Sequence, residues 1–218
     1  MTDRVLYIGN KAYSSWSLRP WLALTVAGIP FTERLIPFET TEFAAAKGET
    51  LPAGRVPVLV DDGLVVWDSL AILEYLAERW PEAGLWPEDR AARAIARSAS
   101  AEMHAGFAAL RAAMPMNVRK DLPGRGHTPD ALADAARIAA LWADLRARFG
   151  GDGPFLCGRF GAVDAMYAPV ATRFRTYGVA LDAVCAAYVE AILGLPAMQA
   201  WYEAAGAEPW VVEDEEVD

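Results

Sequence analysis

The residues best suited to chemistry are Ser14 and Ser15, within Asn10-Lys11-Ala12-Tyr13-Ser14-Ser15-Trp16-Ser17-Leu18-Arg19-Pro20. Before this stretch, Val5-Leu6-Tyr7-Ile8 is a short apolar run rich in β-branched and aromatic residues, and it reads as a buried strand; after it, Leu18, Trp21, Leu22 and Thr25 recur at helical spacing. The serines therefore stand in a strand-to-helix loop, where the helix start offers free N–H groups and partial positive charge to an anion. One serine satisfies the need for an N-cap, so two exceed it. Pro20 lacks an N–H and disfavours helical geometry at Arg19, which predicts a loose or kinked helix start. A hydrolytic serine has little support: there is no GxSxG, and His104 and His127 are the only imidazoles available as a base.

The elements that must position these groups fall into two blocks. The chain has 218 residues, 54% of them hydrophobic and with no apolar run near the roughly 20 needed to span a membrane; nor does its N-terminus carry a signal-peptide pattern, so a cytoplasmic protein is expected. A formal charge of −9 argues against nucleic-acid or anionic-membrane partners, so any anionic ligand must be drawn by local cations. Cys157 and Cys185 form neither a CxxC pair nor a metal-ligand spacing, and two structural thiols with no metal are expected.

Through residue 80 the pattern reads β-α-β-α-β-β-α. Phe31 to Ile36 supplies the second strand, residues 39–50 hold a short helix, Pro57 opens the third strand, and Asp61-Asp62-Gly63 turns into Leu64-Val65-Val66-Trp67. Asp68-Ser69 then leads into a helix stopped by Pro81. Residues 81–87 form a Pro/Gly linker, and beyond it every periodic segment is helical. Met103, Phe107, Leu110 and Met114 predict one long helix to Pro115, Thr128-Pro129 starts another, and three more follow from Ala162, Asp182 and Pro196. The acidic tail, 213–218, is expected to be loosely held.

This order, with a proline opening the third strand, resembles a thioredoxin-type fold, and Ser14, Ser17 and Arg19 match the spacing of a glutaredoxin CxxCxR with serine at both cysteine positions. With the helical second half, the whole chain resembles a cytosolic glutathione transferase of the serine-active kind, distantly similar to the zeta class. The resemblance implies an α/β thioredoxin-like domain (2–80), the linker (81–87) and an all-helical domain (88–218).

It also implies roles. Ser14, or its neighbour Ser15, hydrogen-bonds the sulfur of glutathione as co-substrate. A thiol of pKa about 8.5 is a few per cent ionised at neutral pH, and lowering it by two units takes about 2.7 kcal/mol of preference for the thiolate. Val56-Pro57 resembles the family's cis-proline site, with Val56 pairing its backbone with the cysteinyl part; Asp68-Ser69 resembles the pair that binds the γ-glutamyl end. Arg55 is the candidate for the glycyl carboxylate, ahead of Lys11 and Lys47. Met103, His104, Phe107 and Arg111 are expected to line the pocket for a small hydrophobic electrophile. A homodimer and no further cofactor follow from the same likeness. The alternatives are a zeta-like cis-trans isomerase, disfavoured because Trp16 stands where that class has a loop cysteine, and a non-catalytic binding or regulatory protein. Where the family has Ser/Thr-x-x-Asp before a buried helix, this chain has Gly161-Ala162-Val163-Asp164, so Asp164 is expected to do the capping and Gly161→Ser to gain a few tenths of a kcal/mol.

Overall fold

In the computed structural model, which describes residues 4–217, alternation along Arg4–Ile8 (β1) turns Leu6 and Ile8 into the core. Helix α1 (Ser15–Val26), strand β2 (Thr32–Leu35), helix α2 (Thr41–Ala46), the hairpin of β3 (Val58–Asp61) and β4 (Leu64–Val66), and helix α3 (Ser69–Arg79) complete the first block. The sheet runs β2-β1-β3-β4, with β1 parallel to β2 and the other pairs antiparallel. Helix α1 continues unbroken through Pro20, so the expected kink is absent. Packing decides this: α1 lies against α7 and α3, and Leu18, Leu22, Ala23 and Leu24 are fully buried.

After a 3-10 turn at Pro81–Ala83, the second block comprises α4 (Arg90–Ala105), α5 (Ala108–Ala113), α6 (Pro129–Phe149), α7 (Ala162–Tyr177), α8 (Ala183–Leu193) and α9 (Pro196–Ala207), then a 3-10 turn at Glu213–Glu215. Thr2 and Asp218, which bound the expected domains, lie outside the described residues. The expected long helix is two. Gly106 closes α4 with extended backbone, Phe107 takes φ 59°, and Asp134 of α6 accepts the Leu110 N–H at 3.0 Å, so a side chain from another helix caps the second piece. A methyl group on Gly106 would come within 2.8 Å of the Glu102 carbonyl oxygen, which leaves no room for a larger residue at the break.

Helix α7 is the centre of the second block: every residue except Arg175 is buried. Its start is closed by groups of the chain itself. Asp164 accepts the Gly161 N–H at 2.9 Å and the Leu156 N–H at 3.0 Å, and the linker carbonyl of Leu85 accepts the Ala162 N–H at 2.7 Å. Burial raises the Asp164 carboxyl to about 7, against the opposing pull of those amides. The same Leu85 oxygen would stand 2.7 Å from a Cβ at Gly161, so the expected gain from Gly161→Ser is reversed: backbone blocks the side chain.

One apolar core runs through both blocks. Cys157 and Cys185 are free, and burial pushes both thiols up to about 12. Among the described residues no single helix is long and apolar enough to cross a membrane. The acidic tail is anchored, contrary to expectation: Glu216 accepts from the Tyr13 hydroxyl at 2.6 Å and Asn117 Nδ2 at 3.0 Å, and Lys120 Nζ lies 3.2 Å away.

Candidate functional site

Ser14 is the N-cap of α1 and Ser15 its first residue. Ser14 Oγ accepts the Ser17 N–H at 3.3 Å and lies 2.7 Å from Ser17 Oγ, which in turn accepts the Gly9 N–H at 3.1 Å. Both serines line a cavity of about 370 Å³ together with Tyr13, Trp16, Phe38, Phe43, Arg55, Val56, Arg111, Arg173 and Glu215. The Ser15 hydroxyl makes no hydrogen bond to another described residue.

The second block clasps the loop that carries the serines. Glu208 accepts the Lys11 N–H at 2.7 Å and the Ala12 N–H at 3.3 Å, Trp201 Nε1 donates to the Lys11 carbonyl at 2.8 Å, and the Val118 N–H donates to the Ala12 carbonyl at 3.2 Å. Lys11 is thereby removed from candidacy as a ligand: it is buried, paired with Glu33, and set over the rings of Trp21 and Trp201. Lys47 lies over Phe43 and lines neither cavity.

A larger cavity, about 510 Å³, adjoins the first and shares Trp16, Arg55 and Val56 with it; Ala53, Pro57, Trp67, Asp68, Ser69 and His104 complete it. The Val56–Pro57 peptide bond is cis, as the resemblance implied. Asp68 caps α3, its Oδ1 accepting from the Leu70 and Ala71 N–H groups at 3.0 and 3.5 Å. Ser69 Oγ is fully buried and has no partner among the described residues. A hydroxyl in this position can donate to an anion at the positive end of the helix.

Of the four residues expected around the electrophile, only Arg111 lines the smaller cavity. His104 lines the larger one, its Nε2 3.0 Å from Asp68 Oδ2 and its ring edge-on to Trp16. Met103, on the buried face of α4, and Phe107, in the break between α4 and α5, are both buried in the core. Sequence reasoning missed Tyr13, Trp16, Phe38, Phe43, Trp67, Arg173 and Glu215 as lining residues. Arg173 had a signal, a cation soon after the largely apolar run of residues 165–171, but no sequence pattern aims it at a cavity. Tyr13 spends its hydroxyl on Glu216. Among the described residues no three His, Cys, Asp or Glu side chains converge as a metal site requires.

The family model for the glutathione S-transferase N-terminal domain matches residues 13–79, and that for the C-terminal domain matches residues 93–204. A probable maleylacetoacetate isomerase from Caenorhabditis elegans is 35% identical over 103 residues, which is 47% of this chain and 47% of that protein, so the match spans about half of either. Glutathione S-transferase L1 of Arabidopsis thaliana is 26% identical over 85% of this chain and 71% of its own. In fold, a glutathione transferase homolog from Burkholderia with bound glutathione superposes with a TM-score of 0.71 at 22% identity, covering 94% of this chain and 99% of that one. The two domain matches, in order and joined by the linker, establish that the chain belongs to the glutathione S-transferase family.

Proposed function

We propose that the chain is a glutathione transferase that ionises the thiol of glutathione at Ser14 for attack on an electrophile held in the smaller cavity. The observation that carries this reading is the meeting of the two cavities at Trp16, Arg55 and Val56, with a buried, unpartnered Ser69 hydroxyl in one and the serine pair in the other. The γ-glutamyl carboxylate would accept from Ser69 Oγ at the positive end of α3, the cysteinyl main chain would run beside Val56, and Arg55 would meet the glycyl carboxylate.

Ser14 is favoured over Ser15 by proton accounting. Ser17 is fully buried and its Oγ accepts the Gly9 N–H, and the two hydroxyls of Ser14 and Ser17, 2.7 Å apart, can share a proton in either direction. With glutathione bound, Ser17 would donate to Ser14 Oγ and Ser14 would turn its own proton to the sulfur. A chain of N–H, hydroxyl and hydroxyl polarises in one direction and strengthens the last donor, which favours thiolate over thiol. The thiol proton leaves to solvent, the thiolate sulfur attacks the electrophilic atom, its lone pair forms the C–S bond, and the leaving group departs with the electrons of the bond that breaks.

The reading extends to a cytoplasmic homodimer acting in detoxification. Leu64 and Val65 on the edge strand β4 and Trp67 just after it are exposed, which gives a second copy an apolar surface beside the larger cavity. Sedimentation at micromolar concentration distinguishes a dimer from a species near 23.6 kDa. Isothermal calorimetry tests the central claim: glutathione binds wild type, and no heat at millimolar ligand ends the transferase reading.

A further inference from the structure

Three guanidiniums, Arg55, Arg111 and Arg173, face the smaller cavity, against the single carboxylate of Glu215. Arg19 lies behind them, with its Cζ 4.1 Å from the centroid of the Trp16 ring, which Arg111 also approaches, at 5.4 Å. Among the described residues none of Arg19, Arg111 and Arg173 belongs to an ion pair. Arg19 is fully buried and donates only Nε, to the Met166 carbonyl at 3.3 Å; its Nη1 and Nη2 are buried without partners. Arg173 is 4% exposed and donates Nε to the Met114 carbonyl at 2.9 Å and Nη1 to the Pro169 carbonyl at 3.4 Å. Carbonyl oxygens orient a guanidinium but do not neutralise it.

A cluster of this kind is unfavourable for the empty protein. Buried charges are ordinarily paired, and like charges repel strongly where water is scarce. Burial first, and then the neighbouring guanidiniums, lower Arg19 to about 9 and Arg173 to about 10. The chain as a whole carries −9, so this positive concentration is local and runs against the protein's net charge. An apolar electrophile has no use for it, whereas an acid does.

We propose that the acceptor substrate carries a carboxylate, which Arg111 and Arg173 hold in the smaller cavity while its electrophilic carbon faces Ser14. Arg111 is half-buried, with Nη1 3.4 Å from the His104 carbonyl, and is freer than the buried Arg173 to turn onto a ligand. Tyr13, Trp16, Phe38 and Phe43 supply apolar surface for the rest of the molecule. Glu215, whose carboxyl is raised mainly by burial, is the resident anion that an acidic substrate displaces or neighbours.

The proposal rests on the transferase reading, and a binding experiment separates the two. The probes are S-(4-carboxy-2-nitrophenyl)glutathione, its methyl ester, and glutathione itself, each titrated calorimetrically at neutral pH and low salt. The acid conjugate should bind wild type at least about tenfold more tightly than the ester, equivalent to about 1.4 kcal/mol. Arg111→Gln should bring the two conjugates to within about twofold while leaving glutathione unchanged, and Glu215→Gln should tighten the acid alone. Arg173→Lys, which retains the charge but not the fork and is milder to folding, should lose part of the preference. Equal binding of acid and ester by wild type overturns the proposal, as does a preference for the acid that survives Arg111→Gln. If glutathione and both conjugates fail to bind, the transferase reading falls with it; if glutathione binds and the acid has no advantage, only this inference falls.

Discussion

Helices α3 and α7 each carry an aspartate at the start, exposed at α3 and buried at α7, and they finish the same local problem in opposite ways. At α7 the start is closed from within the chain: Asp164 takes the N–H groups of Gly161 and Leu156, and Leu85 takes that of Ala162. At α3, Asp68 caps Leu70 and Ala71, but the Ser69 hydroxyl remains buried, unpaired and facing a cavity. A closed helix start has its donors used within the fold, whereas an open one keeps a donor free, which the proposed function assigns to glutathione. Mutations at the two sites should accordingly separate stability from binding.

The largest effect is expected for Asp164→Ala, which strands two buried amides: about 2–4 kcal/mol lost in urea unfolding at matched protein concentration, with glutathione affinity of the folded fraction unchanged. Wild-type stability there would make α7 no more closed than α3. The same carboxyl carries a pH signature. Its folded pKa of about 7 lies above the unfolded 3.8, so the folded state holds the proton more tightly, and its stabilising contribution, complete below 3.8, disappears as pH rises through about 7. Between those limits the unfolding free energy of wild type should fall by about 1.4 kcal/mol per pH unit relative to Asp164→Ala. An identical pH dependence in the two proteins would remove this link.

Ser14→Ala should come next. Loss of the sulfur donor should raise the pKa of bound glutathione, read from thiolate ultraviolet absorbance, by about one to two units and slow conjugation about 10- to 100-fold, with affinity within about threefold. A larger effect from Ser15→Ala would move the donor role to the free hydroxyl at the next position. Gly161→Ser should destabilise by about 1–2 kcal/mol, because its Cβ meets the Leu85 oxygen. Any gain in urea midpoint would show that the linker yields. The smallest effect belongs to the open start: Ser69→Ala should weaken glutathione about tenfold while leaving the unfolding midpoint unchanged or slightly raised, since it removes an unpaired buried hydroxyl. A drop in stability with intact binding would reverse the comparison.

Much of the site was legible because its parts are local in sequence. A strand, a polar loop and a helix place Ser14 and Ser15 at a helix start however the remainder packs, and Asp68-Ser69 does the same for α3. Asp164 was readable as the capping residue three positions after Gly161, for the same reason. The stripe of Met103, Phe107, Leu110 and Met114 is core, as its periodicity says, but it misled as to one continuous helix, because periodicity continues across the break at Gly106, where Asp134 of another helix caps the second piece.

What the sequence by itself determined is the order of elements, the two-block division and the placing of hydroxyls and acids at helix starts, all set by contacts within a few residues. Only the tertiary structure decided which of those groups stay unpaired. Leu85 reaches Gly161 across the linker, Glu208 and Trp201 clasp the loop before Ser14, and Arg173 arrives beside that serine from the centre of α7. Such meetings depend on how whole helices cross, and periodicity within one segment carries no information about the neighbour it will meet.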